Sequence, residues 1–173
     1  QLFLLITVMA LAPSILVMTT SFIRIVIVLS FLRTAMGAQQ TPPNQVLMAL
    51  ALFLTFFIMS PTFEAAWEQG VRPYVDGEIE EKEAFERSLR PLQNFMQKFV
   101  RDQDLKLFMD IANIPPVATP NDIPAKVLIP AFIISELRRA FEIGFLVFIP
   151  FLVIDMVVAS VLMSMGMMML PPI

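Results

Sequence analysis

Val127-Leu128-Ile129-Pro130-Ala131-Phe132-Ile133-Ile134 is wholly apolar, and the next eight residues, Ser135-Glu136-Leu137-Arg138-Arg139-Ala140-Phe141-Glu142, carry four charges. The apolar run resumes at Ile143 and continues to Leu170, with Asp155 its single charge. A charge at such a depth costs at least ~2.5–3.5 kcal/mol in a lone lipid-facing helix. Two arrangements relieve that cost. In the first, the charges pair within their own helix, Glu136 with Arg139 three residues on and Arg138 with Glu142 four residues on. In the second, Glu136, Arg138, Arg139 and Asp155 face other subunits or a polar lumen. Internal pairs still leave this helix poorly suited to lipid, so the reading preferred is assembly into a multi-subunit helical bundle.

The rest of the composition agrees with a membrane setting. Hydrophobic residues make up 57% of the 173, above the ~45–50% of soluble domains, and the mean hydropathy is +0.76. They gather in Leu2–Leu32, Val46–Met59, Val127–Ile134 and Ile143–Leu170. Cysteine and histidine are both absent, which excludes disulfides, thiol chemistry and histidine-based acid–base catalysis or metal ligation. No Gly-rich phosphate loop, metal-ligand cluster or nucleophile–base pair occurs. An intramembrane aspartyl protease needs two aspartates, and Asp155 is the one aspartate of the apolar arms. An enzyme is therefore not expected, nor is a cofactor, a metal or a nucleic-acid partner.

Charge divides the chain further. Residues 62–125 hold seven Lys/Arg against twelve Asp/Glu, a net of −5, and the remainder carries +2. An acidic hydrophilic segment between apolar arms does not read as a positive-inside cytoplasmic loop, so it is placed outside the cytoplasm. Gln1 is preceded by no initiator Met, which suits either a mature chain after signal-peptide removal or a truncated one. The end at Ile173, after Pro171-Pro172, reads as a cut.

Along the chain, Leu2–Leu32 would be roughly 45 Å long as one helix, more than a bilayer core of ~30 Å. Pro13, the Thr19-Thr20-Ser21 cluster and Arg24 should kink or break it. Ala38–Thr41 reads as a loop, with Thr41 as N-cap and Pro42 at the first position of the next helix. The strongly apolar Val46–Met59 is only fourteen residues, short for a spanning helix. Phe85, Leu89, Leu92, Phe95, Met96 and Phe99, then Leu105, Phe108, Met109 and Ala112, recur at helical spacing among charges, as amphipathic helices do. Ile114-Pro115-Pro116 should end them, and Thr119-Pro120-Asn121-Asp122 is turn chemistry. The expected fold is all-α: kinked hydrophobic helices forming hairpins plus a small amphipathic helical extracytoplasmic domain, assembled into an oligomeric pore. Its divisions are 1–61, a hydrophobic arm; 62–123, a hydrophilic helical domain; and 124–173, a second hydrophobic arm.

That arm closes on Gly166-Met167-Met168-Met169-Leu170-Pro171-Pro172. Methionine is unbranched and polarizable and refits around changing shapes, so a methionine run at a helix break suits a deformable closure. An ordinary lipid-facing helix end is the alternative.

Pro130–Phe145 resembles the first signature of the FliP family of type III secretion export-gate proteins, and Pro150–Ser160 resembles its second. Thr20–Ile25, Pro42–Val46 and Ala51–Pro61 match as well, so the likeness runs across nearly the whole chain and is least specific over 62–122. The resemblance implies a pore subunit of the flagellar export gate, in about five copies around a ring, with FliQ and FliR as co-assembling subunits and FlhB and FlhA as further partners. It implies unfolded protein substrates, a place in the inner membrane at the flagellar basal body, and a periplasm-facing domain. Such subunits sit largely above the membrane plane, which would explain the charged patch and the short second apolar run. The family's methionine gate falls on Met167, Met168 and Met169, with Gly166 letting the chain leave the helix, and Glu136 matches an acidic position expected to pair with a neighbouring subunit such as FliQ. A further helix beyond Pro171-Pro172 would complete a hairpin. A homologous subunit of virulence injectisomes is the alternative, and the Gly-Met-Met-Met-Leu-Pro-Pro form resembles the flagellar branch more.

Overall fold

The computed structural model describes residues 14–15, 17–38, 40–115, 123–167 and 169–171. Their regular structure is helical, with no strand among the described residues, as the all-α reading requires. Pro13 and Thr119–Asp122 lie outside them. The helices are α1 (Phe22–Ala35), α2 (Asn44–Ala66), a π-helical turn over Trp67–Val71 leading into α3 (Arg72–Val75), α4 (Glu81–Phe99), α5 (Asp102–Ile111) and α6 (Ala125–Ser164).

The first apolar run breaks where its polar cluster stands. Residues 17–18 are helical, a turn follows over 19–21, and α1 begins at Phe22. The hydroxyls of Thr19 and Thr20 donate to the carbonyls of Ile15 and Val17 at 2.9 and 3.3 Å, taking up acceptors that a break would leave open.

Two sequence expectations need correction in the next segment. Helix α2 starts at Asn44 with Pro43 as its N-cap, in an extended conformation, and not at Thr41. A residue that precedes proline is pushed out of the helical region, and both Thr41 and Pro42 do. The helix is also not confined to the fourteen residues of Val46–Met59. It passes through Pro61 and the π turn, so that Asn44–Val75 forms 32 continuous helical residues, long and apolar enough to cross a membrane.

Helix α4 then returns antiparallel along the lower part of that rod. The two approach so closely at Gly70 that a Cβ there would lie 2.6 Å from the Ala84 carbonyl oxygen and 2.7 Å from the Ser88 nitrogen. Further along, Ile58, Thr62 and Ala65 face Asn94, Phe95 and Phe99 across a shallow crevice.

Helix α6 has 40 residues, about 60 Å at 1.5 Å per residue, and organises everything else. Its first half buries Val127, Leu128, Ala131, Phe132, Ser135, Glu136, Ala140 and Gly144. The first three or four turns take the apolar faces of α4 and α5: Met96 and Met109 join Ile123, Val127, Leu128 and Phe132 in one core, with Phe95, Phe99, Leu105 and Phe108 packed around it. The amphipathic segment therefore shares its core with the second hydrophobic arm. Helix α1 covers the rest of that half. Phe31 meets Phe141 edge-on, 5.6 Å between ring centroids, and sits so tightly over Gly144 that a Cβ there would come within 2.5 Å of its ring. Beyond Gly144 no described residue of α6 is buried, though Val147 and Phe148 are half-buried, and its 18-residue apolar window is wholly unburied.

Candidate functional site

Two features stand apart from ordinary helix packing: the charged octet at the middle of α6 and the methionine turn at its end. In the octet each charge is met by a residue from outside α6. Glu136 is fully buried. Arg24 of α1 grips it with both ends of the guanidinium, Nε donating to Oε2 at 2.7 Å and Nη2 to Oε1. Two parallel charge-assisted bonds are the strong form of this pair. Arg24 also lies 5.1 Å over the ring of Phe99, which Lys98 and Arg139 approach at 5.8 Å, so one ring on α4 faces three cations.

Ser135 carries a second connection. Its hydroxyl donates to Asp104 Oδ2 at 2.8 Å and accepts the backbone N–H of Arg101 at 3.0 Å, which holds the start of α5 against α6. Arg138 lies 3.9 Å from the other oxygen of Asp104, and Arg101 bridges to Glu142 at 3.2 Å. Neither in-helix pair weighed from spacing, Glu136–Arg139 or Arg138–Glu142, forms. The carboxylate of Glu136, assigned from the resemblance to a neighbouring subunit, is occupied within the chain by Arg24. Asp155 stands apart from the octet on the second half of α6, exposed and with no ion pair among the described residues. Arg24, Phe99, Arg101 and Asp104 are the participants that spacing did not reveal. A usable signal existed for one of them: Arg24 is the single charged residue of Leu2–Leu32, and a lone cation in an apolar segment needs an anion elsewhere.

The methionine turn is built by the backbone. Gly166 adopts φ +77°, a left-handed conformation that costs glycine little. Its N–H donates to the Met163 carbonyl at 3.1 Å and that of Met167 to the Leu162 carbonyl at 3.0 Å, the paired bonds of a Schellman helix end. Met167 and Met169 project from the turn, 43% and 98% exposed. Met168 lies outside the described residues. The local chemistry is that of a soft, apolar, catalytically inert lip.

The sequence profile of the FliP family matches residues 5–173. The chain belongs to the FliP family. Among curated relatives, the flagellar biosynthetic protein FliP of Caulobacter vibrioides is 60% identical over 99% of this chain, which spans 65% of that protein's length. The Bacillus subtilis FliP is 56% identical over 100% of the chain and 78% of its own length, and the Aquifex aeolicus FliP 51% identical over 99% and 73%. The chain thus spans 65–78% of the length of these three relatives.

Proposed function

We propose that the chain is a core subunit of a flagellar protein export gate, conducting unfolded flagellar proteins across the inner membrane through a pore that a ring of methionines closes. The observation that carries this reading is the turn at Gly166. It ends a bare apolar helix with a Schellman motif and presents Met167 and Met169 to the surroundings. A narrow apolar constriction resists water and ions by dewetting, while flexible thioethers can yield to a polypeptide of almost any sequence. Three methionines in one chain close nothing, so the function needs several copies, together with FliQ and FliR and in contact with FlhB and FlhA. Its place is then the flagellar basal body, with α4 and α5 on the periplasmic side. The relatives' names, all flagellar biosynthetic proteins, favour this branch over an injectisome subunit.

The test changes Met167, Met168 and Met169 together to Ala. The complex should assemble in normal yield, and vesicles containing it should leak small ions. Normal assembly with no added leak would remove the gate from this proposal.

A further inference from the structure

Among the described methionines, Met59, Met96 and Met109 are buried in helix contacts, and Met18, Met36, Met48, Met156 and Met163 are 45–63% exposed along the helices. Met165, Met167 and Met169 cluster around the Gly166 turn, 64%, 43% and 98% exposed. Nothing lies within 4 Å of where a Gly166 Cβ would be, so the turn is open on that side. Oxidation of methionine follows access to its sulfur and converts a flexible apolar side chain into a polar one, reversibly.

We propose that Met165, Met167 and Met169 form a peroxide-oxidisable site whose sulfoxides let water and ions through the closed gate, an inference that rests on the gate reading above. The chemistry balances without help from the protein. A sulfur lone pair attacks one oxygen of hydrogen peroxide, the O–O bond breaks as the S–O bond forms, and proton transfer releases water. The sulfur loses two electrons and the peroxide gains them. The resulting S=O dipole accepts hydrogen bonds, and a lining of such dipoles no longer excludes water as an apolar ring does. The helix end itself survives the change, because the bonds that make it run between main-chain atoms of 162, 163, 166 and 167. Oxidation therefore alters the lip and leaves its mounting in place. Sulfoxide reductases, one for each epimer, restore the thioethers.

The experiment uses the assembled complex in vesicles, treated with hydrogen peroxide and followed by peptide mass spectrometry and ion flux. The comparison is a variant carrying M165L, M167L, M168L and M169L, which keeps the run apolar and close to its original volume while removing its sulfur. Expected are the gain of one oxygen at each of Met165, Met167 and Met169, Met59, Met96 and Met109 remaining reduced, and a severalfold rise in flux that the reductase pair reverses and the leucine variant lacks. Sulfoxides at these positions with unchanged flux would overturn the inference, as would an equal rise in the leucine variant. If the alanine variant above leaks and oxidised parent does not, this inference fails and the gate reading stands. If the alanine variant does not leak, the gate reading itself fails.

Discussion

The two halves of α6 invert the usual relation between polarity and burial. Residues 125–144 carry five charges and residues 145–164 only Asp155, and each half contains a proline, Pro130 and Pro150. The first half is sheathed by α1, α4 and α5 and places even a glutamate, Glu136, out of reach of solvent. The second has no buried residue and leaves Asp155 exposed, with no ion pair among the described residues. Hydrophobicity alone therefore does not decide burial in this chain. What decides it is whether another helix presents a complementary surface, small at Gly144 to admit Phe31 and charged at Arg24 to meet Glu136. The sheathed half has its stabilising contacts within the chain, and the second half has no buried residue among the described ones.

Breaking the sheathed half should have the largest consequences. Arg24→Ala leaves the Glu136 carboxylate buried without its partner and should cost about 3–5 kcal/mol. Denaturant titration of the purified chain in mild detergent would measure this, and a loss below about 1 kcal/mol would mean that the pair contributes little. Exchanging the two, Arg24→Glu with Glu136→Arg, should recover part of the loss. Phe132→Ala empties a position at the centre of the shared core, where α4, α5 and α6 meet, and should cost about 3–5 kcal/mol in the same titration.

A smaller loss is expected at the α1 contact. Gly144→Ala forces the Phe31 ring aside, since the added carbon would stand 2.5 Å from it, and overpacking of this kind costs about 1–3 kcal/mol. Phe31→Leu in the same background should relieve it; no relief would place the cost elsewhere than in this contact.

The smallest effect sharpens the comparison from the other side. Val153→Ala and Val157→Ala, on the bare half, should each change the stability of the isolated chain by no more than ~0.5 kcal/mol. If the chain assembles as proposed, both should nevertheless lower the yield of complex in co-purification with FliQ and FliR. An effect on the isolated chain as large as that of Gly144→Ala would show that the second half has cover within its own chain.

How far the sequence revealed these features depended on the range of the interaction. Helix type was legible from periodicity, and the breaks at Thr19–Ser21 and Gly166 from residues whose local chemistry ends helices. The start of α2 was misplaced because a single capping rule was applied to Thr41 without the constraint that consecutive prolines put on their predecessors. The length of α2–α3 was underestimated because charge after Met59 masked helical continuity that contact with α4 maintains at Gly70. The in-helix ion pairs of the octet were reasonable on spacing and absent in the fold, since partners on other helices offer bidentate geometry, a hydroxyl bridge and an aromatic face that i, i+3 and i, i+4 neighbours do not.

By itself the sequence determined that the chain is helical and rich in apolar runs, that a helix breaks at Gly166 beside a methionine run, and which family it belongs to. These follow from local rules: residue spacing, backbone freedom at one glycine, and motifs that stay contiguous. Only the tertiary structure decided which helix answers each charge and which half of α6 is covered. Arg24 and Glu136 lie 112 residues apart, and no local preference can bring such a pair together. Their meeting is a consequence of how α1 packs on α6, with Phe31 lying over Gly144.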